Sequence, residues 1–225
     1  MSYAGLPKTT VEFLAGLEAN NDRDWFEAHR TEYDRDWLGA GLDLIAALSA
    51  PCAGLSPPLL AVPKLNASLR RIHRDVRFSK DKRPYEPRLH LILSSGPVFN
   101  KQPGVHIVIS PKGLGYGAEF YGFAPATLDA YRRKVCNPTE RALLQDLLDQ
   151  AAAVGAHLLP PDLTRVPKGF DPAPWDHLIR RKSLIVRTGP DLPHPDYLFG
   201  LGAVEGLMAV VRALAPLCHW LVALT

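Results

Sequence analysis

Cysteine is scarce in this sequence, with three residues among 225. Cys52, Cys136 and Cys218 are widely spaced and form no CxxC pair. Disulfide frameworks use an even number of cysteines, and structural zinc sites use cysteines at short, regular spacings. The cysteines therefore argue against both, and they favour a reducing compartment. We expect a cytoplasmic protein.

Long hydrophobic runs and targeting segments are also missing. No apolar run approaches the roughly 20 residues that span a bilayer, so we expect no membrane partner. The opening residues MSYAGLPKTTVEF have no basic stretch followed by an apolar core, so no signal peptide is indicated. The composition, 47% hydrophobic and 22% charged, is that of an ordinary globular chain rather than of a disordered one.

Familiar catalytic motifs are absent as well. The chain has no GxxxxGK[ST] phosphate loop, no GxSxG nucleophile elbow and no HExxH metal helix. Its histidines show no metal-ligand spacing, so we expect no metal site, although His90 and His106 could meet across neighbouring strands as an ordinary pair. Gly113, Gly115 and Gly117 do not match GxGxxG and are interpreted as hairpin and bulge glycines, while a glycine-lined strand would also let a ligand approach the backbone. No cofactor is indicated, and no catalytic residue stands out.

The hydrophobic pattern predicts one α+β domain over residues 1–225. Apolar residues at spacings of three and four mark helices near both ends of the chain. Short apolar and alternating stretches predict strands over 89–93, 105–110 and 114–123 as an antiparallel meander, with a further strand over 183–187. Because helices come before and after the strands, we expect one antiparallel sheet packed with N-terminal and C-terminal helices.

One arginine lies on a predicted apolar stripe. Asn21 is expected to cap a helix whose buried stripe includes Tyr33. Arg30 falls on the same stripe, so we expect its guanidinium to point inward. A buried guanidinium needs an anionic partner, which would be Asp75, Asp81 or a ligand.

Positive charge is concentrated in one short segment. The whole chain carries a net charge of only +3. Residues 70–88, named here the basic segment, hold eight Lys or Arg residues against three acids, which is +5 and leaves −2 for the remainder of the chain. Such local enrichment indicates a site rather than a general property of the surface.

The basic segment has the chemistry of an anion site. The planar guanidinium of arginine grips phosphate or carboxylate through paired hydrogen bonds. If the segment is helical, Arg70, Arg74 and Arg77 share one face; if it is extended, Arg71 and Arg77 share a face instead. In both cases arginines cluster, and an anionic small molecule is the expected partner.

Ten residues are the candidate site residues. Those expected to bind the ligand are Arg71, Arg74, Arg77, Lys80, Lys82, Arg30 and Lys182. Those expected to orient the arginines or to exchange protons are Asp75, Asp81 and His73.

Three functions remain open at this point. The first is a site for a phosphorylated or otherwise polyanionic ligand, with phosphoester processing as an extension that lacks an identified base or metal. The second is a nucleic-acid-binding module, for which Tyr116, Phe120 and Tyr121 would be the stacking aromatics. The third is a structural or interaction role, in which the basic segment forms an internal ion-pair network. The oligomeric state is not indicated.

Several stretches resemble one known family. The stretch "LRRIHRDVRFSKDKRPYEP" is similar to the signature FRIxRDxRFSKDKxPYK of the uncharacterised family called domain of unknown function 2461. The stretches "VEFLAGLEANNDRDWFEAHRTEY", "PKGFDPAPWDHLIRRKS" and "LAPLCHWL" resemble its other conserved parts, in the same order. The resemblance implies a single-domain fold and no assigned activity. One departure is Glu86, which stands where the family usually has a lysine.

Overall fold

A five-stranded antiparallel sheet organises the structure, a computed structural model in which residues 3–99, 101–171, 173–189 and 192–225 are described. The strand order is β1-β2-β3-β5-β4. The first three strands form the predicted meander, and β5 is the predicted further strand. The strands are β1 (Leu89–Ser94), β2 (Gly104–Ile109), β3 (Leu114–Phe120), β4 (His157–Leu158) and β5 (Leu184–Arg187).

Helices come before and after the meander, as predicted, so the α+β fold class is confirmed. Helix α4 packs against β1 and α8, while α8 packs against β2, β3 and α6. A π-helical turn, Tyr33–Gly39, joins α3 to α4, and a 3-10 turn, Asp196–Phe199, precedes α8. The helices are α1 (Lys8–Ala19), α2 (Arg23–Ala28), α3 (Arg30–Glu32), α4 (Ala40–Ala53), α5 (Pro125–Cys136), α6 (Pro138–Ala153), α7 (Asp176–Ile179) and α8 (Ala203–Val222).

The two faces of the sheet differ in chemistry. Side chains alternate between the faces along each strand, and one face carries the fully buried Leu91, Ile107 and Val186. The opposite face carries His90 and His106 together with glycines, charged residues and a few aliphatic side chains. Helices cover the aliphatic face, so the polar face remains available for a site.

Two predictions for the second helix are wrong. Its N-cap is Asp22, whose carboxylate accepts a hydrogen bond from the Trp25 backbone N–H at 2.9 Å, and not Asn21. Arg30 does not point inward, because its side chain is 52% exposed and lies 3.7 Å from Asp34. The cause is a break at His29, whose backbone (φ −107°, ψ 24°) separates α2 from α3, so the helical period does not continue across it.

Helix α8 is long and apolar enough, by length and composition alone, to cross a membrane. The expectation that no apolar run approaches this length is therefore wrong for this helix. Its most apolar stretch is 56% buried inside the fold, which is also a property of core helices in soluble proteins. This feature therefore does not by itself indicate a membrane.

The basic segment is extended rather than helical. Residues on either side of its loop pair, with the Arg74 backbone N–H donating to Pro84 O at 2.8 Å and the Glu86 N–H donating to Ile72 O at 2.8 Å. Ile72 is buried, whereas Arg71 on the alternate position is exposed. Of the two alternatives left open by the sequence, the extended one is therefore correct.

An asparagine ties the basic segment to the N-terminal helices. The side chain of Asn21 donates to Tyr85 O and accepts from the Tyr85 N–H, each at 3.0 Å. The Tyr85 ring is buried and stacks on Phe26, with ring centroids 4.2 Å apart. Asn21 therefore satisfies both backbone groups of a buried residue in the segment.

We predict that Asn21→Ala lowers the free energy of unfolding by about 1–3 kcal/mol, because two backbone groups near the core lose their partner. Asn20→Ala is the matched control. Its side chain makes a single exposed hydrogen bond, to Gly16 O at 3.0 Å, so we expect a change of about 0.5 kcal/mol or less. Urea denaturation measures both, and equal losses in the two variants would contradict the assignment.

Candidate functional site

A cavity of about 430 Å³ lies beside the basic segment. Four arginines and two carboxylates line it, so its net charge is +2 with neutral histidines. The pairing of the Arg70 N–H with His90 O, at 2.9 Å, places the start of the segment next to β1. The lining residues are Arg70, Arg71, His73, Arg74, Asp75, Ser79, Glu86, Arg88 and His90.

The structure brings four of the ten predicted site residues to this cavity. Arg71, Arg74, His73 and Asp75 line it, together with Arg70 and Arg88, which were not among the predicted ligand-binding residues. The charge of Arg30 contributes to the lowered pKa of His73, after burial, so Arg30 lies near the segment without lining the cavity. The other predicted residues outside the described lining are Arg77, Lys80, Lys82, Asp81 and Lys182.

Lys182 is attached to a different part of the molecule. Its backbone N–H donates to the Asp162 carboxylate at 2.6 Å, and its carbonyl accepts from the Phe123 N–H at 2.8 Å. Its side chain is exposed. The predicted convergence of Lys182 on the basic segment is therefore not seen in the lining of the cavity.

Much of the charge in the basic segment is paired internally. Arg74 is 19% exposed and contacts Asp81 at 2.8 Å and Glu86 at 3.1 Å. It also donates to Arg83 O at 3.0 Å. Hydrogen bonds from Arg83, then from Arg74, lower the pKa of Asp81. Arg74 therefore links the two sides of the loop that the basic segment forms.

Asp75 and Arg77 form a second pair at the tip of the segment. The Arg77 guanidinium lies 2.7 Å from the Asp75 carboxylate and is 76% exposed. Hydrogen bonds from the Arg77 side chain and backbone lower the pKa of Asp75 to about 2. This pair is solvated, and exposed pairs contribute little to stability.

Unlike Arg74, Arg77, Arg83 and Arg88, Arg71 has no ion-pair partner within the described parts of the chain. Its side chain is exposed at the cavity. Burial lowers the pKa of Arg70, and the charges of Arg71 and then Arg88 lower it further. Three guanidinium groups of the same sign thus lie close together, and an anion among them would relieve their repulsion.

A second cavity, of about 560 Å³, adjoins the first and lies along the polar face of the sheet. Arg88 and His90 line both cavities. The Trp37 indole N–H donates to Arg88 O at 3.1 Å, which holds this junction against the core. The second cavity crosses four strands, and its remaining lining residues are Glu18, Pro87, His106, Val108, Ser110, Pro111, Lys112, Gly115, Tyr116, Gly117, Glu119, Arg187, Thr188 and Gly189.

The two histidines meet across β1 and β2, as predicted. His90 Nε2 lies 3.0 Å from His106 Nδ1, and Glu119 lies 3.8 Å from the same Nδ1. Burial lowers the pKa of His106 to about 4, and nearby Arg70 and Arg88 act in the same direction. Burial also lowers the pKa of His90 well below its usual value and raises that of Glu119. Both histidines are therefore neutral at pH 7.

No metal cluster accompanies this pair in the part of the chain that the structure describes, where no group of three or more His, Cys, Asp or Glu side chains is placed to hold a metal ion. The histidines are instead placed to share one proton with each other. Because burial lowers the pKa of both histidines, the pair is a poor base at pH 7 and offers hydrogen bonds rather than proton transfer.

The aromatics expected to stack nucleic-acid bases do not form a platform. Phe120 is buried in the core, and the Tyr116 hydroxyl donates to Val154 O at 2.8 Å. Tyr121 is 78% exposed. Only one of the three predicted aromatics is thus available for stacking.

Sequence reasoning missed Glu119, Arg187 and the site role of Arg88. Glu119 lies opposite Ile185, and Gly117 lies opposite Arg187, in the pairing of β3 with β5. The paired residues of β3 and β5 are about 70 residues apart in the sequence, so only the strand order brings them together. The signal available in the sequence was their alternation with buried neighbours, which places them on the polar face.

A family model described as "Conserved hypothetical protein (DUF2461)" matches residues 9–220. The chain belongs to this family. The match includes the basic segment, both cavities and nearly all the described helices and strands. No curated protein and no solved structure matches the chain. The family carries no assigned activity, so the function has to be argued from the site.

We predict that Arg74→Ala lowers the free energy of unfolding by about 1–3 kcal/mol, because Asp81, Glu86 and a backbone carbonyl lose a charged hydrogen-bond donor. Arg77→Ala removes the same charge from the same segment, but its pair is solvated, so we expect little change. Thermal and urea unfolding measure both variants. An Arg74→Ala protein as stable as Arg77→Ala would show that the network does not support the fold.

The lowered histidine pKa predicts how stability depends on pH. The unfolded chain takes up a proton at His106 near pH 6.5, whereas the folded protein does so near pH 4. The contribution of His106 to the free energy of unfolding is therefore fully present above pH 6.5. It decreases as the pH falls towards 4, by on the order of 3 kcal/mol in total. His106→Gln should flatten this decrease in urea unfolding between pH 7 and 4.5. The exposed His157→Gln is the control, and identical slopes in all three proteins would contradict the prediction.

Proposed function

We propose that the protein binds a phosphorylated or otherwise polyanionic small molecule in the cavity beside the basic segment. The observation that supports this most directly is Arg71, an exposed guanidinium at the cavity with no ion-pair partner in the described structure. Arg70 and Arg88 line the same cavity. An anion at this place would contact several guanidinium groups at once.

The composition of the cavity favours phosphate over a single carboxylate. Guanidinium groups present pairs of N–H donors that match the oxygens of phosphate, and several of them suit more than one negative charge. The cavity volume of about 430 Å³ lies within the range of roughly 300–1,000 Å³ that is usual for small-molecule sites. Neutral His73 and His90 add hydrogen-bonding groups without adding charge.

The internal network supports an alternative, structural role for part of the segment. Arg74, Asp81 and Arg83 are joined by contacts of 2.8 Å, which is what a purely structural network requires. Arg71 is not part of it. We therefore assign Arg74 to folding and Arg71 to binding, and the two roles are separable by mutation.

Phosphoester processing would be an extension of this proposal. His73 and Asp75 line the cavity beside the arginines, and burial lowers the pKa of His73, so a neutral acid–base group would lie near a bound phosphate. If the protein also hydrolyses a bound phosphate ester, inorganic phosphate is released, and the protein is then an enzyme as well as a binding protein.

The test is calorimetric titration of the purified protein with inorganic phosphate and pyrophosphate at low ionic strength. We expect Arg71→Gln to weaken binding about 10-fold or more, because each charged hydrogen bond contributes roughly 1.5–3 kcal/mol. Lys80→Gln is the matched control, since it removes one charge from an exposed side chain of the same segment that does not line the cavity. It should bind like wild type.

Two results would overturn the proposal. One is the absence of binding to either anion by wild type at millimolar concentrations. The other is equal weakening by Arg71→Gln and Lys80→Gln, which would indicate a diffuse charge effect rather than a site. Steep salt dependence of binding to a single-stranded oligonucleotide, with no binding of pyrophosphate, would instead favour the nucleic-acid alternative.

A further inference from the structure

At Gly115 the floor of the second cavity consists of backbone atoms alone, because glycine has no side chain. Gly115 and Gly117 lie on the same face of β3, opposite Val108 and His106. A Cβ at Gly117 would collide with the Val186 carbonyl and the Arg187 backbone, so strand packing requires glycine there. A Cβ at Gly115 would meet nothing nearer than Thr188 Oγ1 at 3.5 Å. Packing therefore explains Gly117 but not Gly115.

The walls around this floor carry no net charge beyond that of Arg88, because Glu18 and Glu119 balance Lys112 and Arg187. Val108 lies opposite Gly115, and Pro87 and Pro111 also line the cavity. A flat backbone floor with proline and aliphatic walls accepts a planar, uncharged group by van der Waals contact. The cationic cavity, by contrast, accepts negative charge.

The two cavities adjoin at one place. Arg88 and His90 belong to the lining of both. A ligand whose charged end contacts Arg71 and Arg88 would therefore extend past His90 and over Gly115. This step rests on the proposed function, because it takes the arginine cavity as the site of the phosphate.

We propose that the two cavities form one site for a phosphate monoester whose organic part is planar and uncharged, with the phosphate on Arg70, Arg71 and Arg88 and the planar group over Gly115. The class includes aryl phosphates and nucleoside monophosphates. The junction at His90 separates the charged end of the ligand from the uncharged end.

Gly115→Ala tests this directly, because the added methyl group fills the floor without striking the backbone. Titrations use phenyl phosphate, AMP and inorganic phosphate. We expect both esters to bind wild type at least 10-fold more tightly than inorganic phosphate. Gly115→Ala should remove most of this gain and leave the affinity for inorganic phosphate within about twofold of wild type.

Two further variants complete the experiment. Gly54→Ala is the control, since a Cβ there makes ordinary contacts, 3.5 Å from Pro51 O, outside both cavities. Val108→Phe narrows the same cavity from β2, so it replaces Gly115→Ala if that variant fails to fold. Arg71→Gln should weaken all three ligands together.

The outcomes separate the two proposals. If wild type does not bind inorganic phosphate, the proposed function itself fails. If inorganic phosphate binds but the esters bind no more tightly, or if Gly115→Ala and Val108→Phe leave ester binding unchanged, then only the inference about the planar group is wrong.

Discussion

The position of the cations around the cavity depends on one contact, the pairing of the Asn21 side chain with the Tyr85 backbone. Within the described structure the basic segment pairs with no strand over a continuous stretch: the bridge between His73 and Tyr85 is internal to it, and the Arg70 N–H reaches β1 at His90 O. The two 3.0 Å hydrogen bonds of Asn21 and the stacking of Tyr85 on Phe26 fix the side of the segment's loop that contains Tyr85. Burial of Ile72 fixes the opposite side. Because the segment is extended, anchoring these residues turns the alternate positions, such as Arg71, outward.

Charge pairing inside the segment separates folding from binding. The three carboxylates of the segment can neutralise three of its eight cations. In the structure they form ion pairs with Arg74, Arg77, Arg83 and Arg88. The segment can therefore fold without a ligand, since the partly buried Arg74 already has partners. Part of the remaining positive charge lies at the cavity, which carries a net charge of +2 and where Arg71 has no ion-pair partner among the described residues, whereas Lys80 and Lys82 lie outside its lining. An internal network and an anion site are consequently parts of one arrangement rather than competing explanations.

The sequence predicted the sheet better than the site, for a physical reason. Alternation is a local property, so the strands around His90 and His106 and their meeting across the sheet could be predicted from neighbouring residues. The inward position of Arg30 was wrong, because the single non-helical residue His29 interrupts a period that looked continuous. The contribution of Arg187 could not be predicted, because it depends on β5 lying next to β3. Long-range strand order is not encoded in local pattern.

The neutral histidine pair separates a positively charged end of the site from an end without net charge. Protonated, His90 and His106 would extend the positive charge of Arg88 along the polar face to the glycine floor. Burial, assisted by Arg70 and Arg88, holds their pKa values low, so at pH 7 the histidines add no charge. Beyond Arg88 the second cavity carries no net charge, because Glu18 and Glu119 balance Lys112 and Arg187. The field therefore decreases over the length of the pair, from a cavity that favours an anion to one that favours an uncharged group. A ligand charged at one end only matches this gradient, whereas a uniformly charged polyanion would place part of its charge beside Glu119.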